Sequence, residues 1–119
     1  MSLVLAVDDS KPMLAMLSKC LADGGHNVIK AVDGVEALMQ LRKHKPDMVI
    51  TDLNMPNMDG LEFIAAARQD DAGRGLPILL LTTETADALK QRAREVRATG
   101  WITKPFDPDQ ILGLVRQLA

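Results

Sequence analysis

The chain moves repeatedly between two hydrophobic rhythms. LVLAV (3–7) is an uninterrupted apolar run, which predicts a strand buried on both faces. In PMLAMLSKCLADGG (12–25), Met13, Leu14, Leu17 and Leu21 instead recur at helical spacing. Asp9 or Ser10 is placed to cap that helix, Pro12 suits its first turn, and Gly24–Gly25 provide its stop. The alternation continues with a strand at 27–31 and a helix at 34–45 that carries Val35, Leu38 and Leu41 on one face. A strand at 47–52, a helix at 61–69, a loop at 70–75 and a strand at 77–82 follow. A helix at 86–98, a short strand at 100–104 and a helix at 108–118 complete five β-α units. There is no repeat, low-complexity segment or internal linker.

Strict alternation implies parallel strands joined by right-handed crossovers, with helices on both faces of the sheet. The expected fold is therefore α/β, an open, doubly wound five-stranded parallel sheet of order 2-1-3-4-5 with five helices. A chain of 119 residues has room for one core and not two, so residues 1–119 are expected to form a single domain. A net charge of −2 lacks the basic excess of a nucleic-acid binder. No apolar run approaches the roughly 18 residues of a membrane span. The one cysteine, Cys20, cannot form an internal disulfide, and no cationic leader precedes the first strand. A cytoplasmic protein with no membrane contact is expected.

Candidate chemistry lies where the strands end. Asp8 and Asp9 follow the first strand, Asp52 ends the third, Thr82 and Thr83 follow ILLL, and Lys104 follows WIT. Parallel strands put all of these at one edge of the sheet, the edge where such folds bind ligands. Three acids gathered together raise one another's pKa and call for a counter-ion. An all-oxygen site with few protein ligands suits Mg²⁺. Lysine and a hydroxyl beside it could hold an anion, and the combination points to phosphoryl transfer. With no Gly-rich phosphate loop in the chain, a carboxylate is the expected acceptor, giving an aspartyl-phosphate.

DDS (8–10), DLNMPNMDG (52–60), LTTE (81–84) and GWITKPF (100–106) together resemble the receiver domain of two-component response regulators. The likeness is greatest to the single-domain chemotaxis (CheY-like) type, with its flavodoxin-like sheet. That resemblance implies that Asp52 is the phosphoacceptor and that Asp8, Asp9, Asp52 and the backbone carbonyl of Asn54 hold Mg²⁺. It also implies that Lys104 pairs with the phosphoryl group, that Thr82 moves to hydrogen-bond it, and that Lys104–Pro105 is cis. Trp101 occupies the place of a switching aromatic, while Asn54, Thr83 and Glu84 tune the phosphorylation lifetime or access to the acceptor. The implied donor is a sensor histidine kinase or phosphotransfer protein. The implied output is a downstream protein bound by the fourth helix, fifth strand and fifth helix.

Blander readings exist for each residue taken alone. Asp8 or Asp9 could only cap a helix, Asp52 could be a turn residue, and Trp101 could be core filler. None of these explains Thr82 and Lys104 at the same edge. Cys20 reads as a small buried hydrophobe, His26 and His44 as surface residues, and the methionines mostly as packing. The basic run Lys90, Arg92, Arg94 and Arg97 reads as a solvated helix face. Two positions depart from the pattern: Thr83, where a small residue is usual, and Arg97, where a helix-ending glycine is common. The chain could be a stand-alone regulator or a receiver excised from a longer protein, and MSL could be a remnant of such excision. A Mg²⁺-dependent phosphohydrolase of the haloacid dehalogenase type is the alternative from another class. It would need a second acid where Asn54 stands, and a cap domain.

Overall fold

A computed structural model describes residues 2–119. Ten elements alternate without exception: β1 (Leu3–Val7), α1 (Lys11–Asp23), β2 (Asn27–Ala31), α2 (Gly34–His44) and β3 (Met48–Asp52) come first. Then follow α3 (Gly60–Arg68), β4 (Ile78–Thr82), α4 (Asp87–Glu95), β5 (Gly100–Thr103) and α5 (Pro108–Leu118). All five strands are parallel, in the order β2-β1-β3-β4-β5, as the alternation predicts.

Each central strand feeds two cores, because successive side chains point to opposite faces. Leu5, Val7, Val49, Ile78 and Leu80 pack with Leu38, Leu41, Phe63, Ile64 and Ala93 from α2, α3 and α4. Val4, Ala6, Met48, Ile50, Leu79 and Leu81 pack with Leu14, Leu17, Leu21, Ile111 and Val115 from α1 and α5. Burial on both sides is why these strands carry no polar alternation.

Helix ends follow local chemistry. Ser10 caps α1, its Oγ accepting from the Met13 N–H at 3.3 Å, which resolves the choice between Asp9 and Ser10. Gly25, at φ +90°, ends α1 in a Schellman turn: the His26 N–H reaches the Leu21 carbonyl and the Gly25 N–H reaches that of Ala22.

Some expectations are corrected. Val35 is 53% exposed, because the inward face of α2 is Gly34, Ala37, Leu38 and Leu41. Met16 and Met39 are also exposed, so those two methionines are not packing residues. His26 is half-buried with a partner, its Nδ1 accepting from the Ser2 N–H at 3.2 Å. Cys20 is only partly buried. The fourth helix stops at Glu95, three residues short of the predicted 98, for a reason described below.

Candidate functional site

Register assembles the site. Val7 pairs with Thr51, so the residues that follow them, Asp8 and Asp52, leave adjacent strands side by side. Asp52 pairs with Leu81, and Thr82 pairs with Thr103, so Thr82 and Lys104 emerge at the same edge. Asp8, Asp9 and Asp52 present carboxylate oxygens that lie within 4.8 Å of one another. Lys104 crosses to them, with its Nζ donating to Asp52 at 3.0 Å and to Asp8 at 3.1 Å. The Lys104 N–H donates to the Thr82 carbonyl, and the Lys104–Pro105 bond is cis.

The electrostatics of this cluster are unbalanced. Burial pushes the Asp52 carboxyl up, and the neighbouring Asp8 charge adds to that, against the opposing pull of Lys104. Burial works against the charge on Lys104, yet its two carboxylate partners together outweigh it and hold its pKa above the usual lysine value. One ammonium therefore stands among three acids and bonds two of them. Asp8 and Asp52 are buried, while Asp9 is exposed at the rim. The donor set is hard oxygen with a deficit of positive charge, which fits a small divalent cation.

The neighbouring loops are tied to this edge. Asp59 caps α3 in a reciprocal capping box with Glu62. Asn57, at φ +66°, donates through Nδ2 to Asp33, the residue that caps α2. Asn54 and Glu84 face one another across the mouth, Nδ2 to Oε2 at 3.3 Å. The Thr82 hydroxyl is buried and accepts from the Glu84 N–H at 3.1 Å, while Thr83 is exposed.

Comparison with known proteins decides the family. The profile of the response regulator receiver domain matches residues 4–116. The chain belongs to the response regulator receiver family. This receiver is 34% identical over 115 residues to the alkaline phosphatase synthesis transcriptional regulatory protein PhoP of Bacillus subtilis, covering 97% of the chain and 47% of that protein. It thus spans about half the length of that curated relative, and also of the probable transcriptional regulatory protein TcrX of Mycobacterium tuberculosis, to which it is 36% identical. Among solved structures, chemotaxis protein CheY4 of Vibrio cholerae is similar at a TM-score of 0.95 and 44% identity, covering 100% of this chain and 99% of that one. A sensor-kinase receiver from Pseudomonas aeruginosa, 20% identical at a TM-score of 0.91, shares the fold; its magnesium ion is coordinated in the active-site cleft. Nothing in the fold or in these relatives favours the phosphohydrolase reading.

One residue of the receiver escaped the sequence reading. Arg68, the last residue of α3, is 8% exposed and makes no ion pair among the described residues. Its Nε and Nη2 donate to the carbonyl of Arg97, and its Nη1 to those of Gly73 and Leu76. Arg97 itself sits at φ +66° and closes α4 with the same Schellman turn that Gly25 gives α1. That explains the early end of α4, with an arginine doing the work of the usual glycine. A lone basic residue at the end of an amphipathic helix carries no sequence signal for such a role.

Proposed function

We propose that this receiver is a phosphorylation-dependent switch in which Asp52 takes a phosphoryl group and the α4-β5-α5 face changes its affinity for a partner. One observation carries the reading: Lys104 bridges Asp52 and Asp8 at 3.0 and 3.1 Å, with Asp9 in the same oxygen cluster. An Asp52 carboxylate oxygen attacks phosphorus, and the phosphorus–nitrogen bond of a phosphohistidine on a sensor kinase or phosphotransfer protein breaks. The released imidazole takes up a proton from solvent. Lys104 holds the transferred oxygens by charge, and Thr82, whose hydroxyl accepts from the Glu84 N–H and keeps its own proton, moves to donate to them. Asp8, Asp9, Asp52 and the Asn54 carbonyl would hold Mg²⁺, which when bound neutralises phosphoryl charge. Thr83, Asn54 and Glu84 ring the mouth and set access for donor and water. The receiver acts by binding and modifies only itself.

Removing one rim carboxylate separates metal binding from folding. Asp9→Asn leaves both Lys104 contacts in place, so melting without metal stays unchanged or rises. Mg²⁺ affinity, read by titration, falls by about tenfold or more. A large fall in melting temperature in metal-free buffer would assign Asp9 a structural role instead.

Trp101 reports the switch. It is the only tryptophan, half-buried against the α2-α3-α4 core, and its indole N–H is buried with no acceptor among the described residues. Trp101 pairs with Leu80 on the strand that Thr82 ends, so the ring lies beside the edge that responds. Beryllofluoride with Mg²⁺, standing in for the phosphoryl group, changes Trp101 emission or acrylamide quenching, and Thr82→Ala abolishes the change. Identical quenching in both states would make Trp101 a fixed core residue and move the output to another face.

A further inference from the structure

The end of the sheet opposite the phosphoacceptor edge holds a second concentration of charge. A cavity of about 410 Å³ is lined by Arg68, Arg74, Gly75, Leu76, Arg97 and Thr99. Three arginines and one threonine are among its walls, and no acid is. Arg68 is more than nine-tenths buried, yet every acceptor it meets is a neutral carbonyl. Those four bonds use four of its five N–H groups. A buried guanidinium is ordinarily paired with a carboxylate, since removing a charge from water costs several kcal/mol. Burial, and after it the charge of Arg97, pulls the Arg68 pKa down.

The other walls leave space for a ligand. Arg74 pairs with the exposed Asp71 at 3.0 Å, where solvent screens the pair, and its charge also reaches Asp70. Gly75 adopts φ +70° and has nothing within 4 Å of where a Cβ would stand, so the backbone there is open. The Thr99 Oγ1 accepts from the Ile78 N–H at 2.8 Å and keeps its own proton to donate. Planar guanidinium forks suit an oxyanion with several acceptor oxygens.

We infer that the Arg68–Arg74–Arg97 cavity is a binding site for a soluble phosphate-bearing small molecule, distinct from the phosphoacceptor site. The missing counter-charge of Arg68 would come from the ligand's oxygens, with Arg74 and Arg97 closing on it from the rim.

The test uses ¹⁵N-labelled receiver carrying Asp52→Asn, in metal-free buffer at constant ionic strength, titrated with inorganic pyrophosphate. The acidic cluster, without metal, repels such an anion, so responses there and here are separable. The expected result is saturable shifts at the amides of Gly75, Leu76 and Thr99. A double variant, Arg74→Gln with Arg97→Gly, weakens them at least about tenfold. Arg97→Gly keeps the carbonyl that Arg68 holds and suits the positive φ, so this variant folds without touching Arg68. Non-saturating shifts over the whole surface, or equal binding by the double variant, would overturn the proposal. So would a preference for vesicles of phosphatidylcholine with phosphatidic acid, or for a hexaglutamate peptide, over pyrophosphate. Those outcomes would assign the patch to a membrane surface or to an acidic protein segment.

Discussion

Acetyl phosphate with Mg²⁺ is expected to add one acid-labile phosphoryl group to the wild-type receiver and none to Asp52→Asn. The expectation follows from the proposed role of this carboxylate and from where it stands. It stands in register beside Asp8, within reach of Lys104, in the one place where all three acids and the ammonium meet. Asp8 is tied down by the Ser10 N–H as well as by Lys104, and Asp9 lies at the exposed rim. Intact-mass analysis reads the result, and equal modification of both proteins would remove Asp52 from its role. The pH dependence has a sign. Because burial and Asp8 raise the Asp52 pKa, its nucleophilic anion forms at higher pH than for a free aspartate. That sign belongs to the metal-free receiver, since bound Mg²⁺ favours the anion and pulls the acid limb of uptake back down. For stability the same shift acts in reverse. A carboxyl whose folded pKa is raised favours folding while protonated, and loses that advantage as pH climbs from its unfolded to its folded pKa. Asp52→Asn at neutral pH without metal should thus melt at or above the wild type. A lower melting point would mean that lost uptake reflects lost structure.

Gly60→Ala should cost about 1–3 kcal/mol of stability, for reasons of space alone. A Cβ built on Gly60 overlaps the carbonyl oxygen of Asp52 and lies 3.1 Å from the Cα of Leu53 and from the Leu80 side chain. Two of those three neighbours are backbone, which cannot swing aside. The Gly60 N–H also donates to the Leu53 carbonyl at 2.8 Å, so the first turn of α3 is held directly against the acceptor strand. Any relief moves Asp52. A displacement near 1 Å at a reacting group can cost about a hundredfold in rate, so phosphoryl uptake falls along with stability. Gly113→Ala in α5 is the matched control. Its nearest neighbour is a flexible arginine tip at 3.9 Å, and alanine there should gain about 0.5–1 kcal/mol. Chemical denaturation compares the two, and a similar response at both positions would rule out the contact at Gly60 as the cause.

Period and order along the chain determined the architecture. Apolar runs such as LVLAV and ILLL can be satisfied only by burial on two faces, and alternation with helices forces them parallel. Parallel strands then bring their C-terminal ends to one edge. Asp8, Asp52, Thr82 and Lys104 were therefore legible as a group, although they lie far apart in sequence. A cap at Asp9 or Ser10 and a stop at Gly24–Gly25 were legible too, because both rest on bonds within a few residues; the structure chose Ser10 and Gly25.

Other features were decided only in three dimensions. Which side of α2 faces inward depends on where the sheet lies, so Val35 reads as core and is exposed. The Asp-Gly pair at 59–60 reads as a turn, yet Gly60 is needed for its close approach to a strand that local rules cannot place. Arg97 ends α4 in a left-handed conformation, with its carbonyl held by a guanidinium contributed from α3. The separation follows the range of the forces involved. Periodicity, capping and turn chemistry act within a few residues and are written locally. Steric fit and the pairing of a buried charge depend on groups that meet only once the sheet has closed its register.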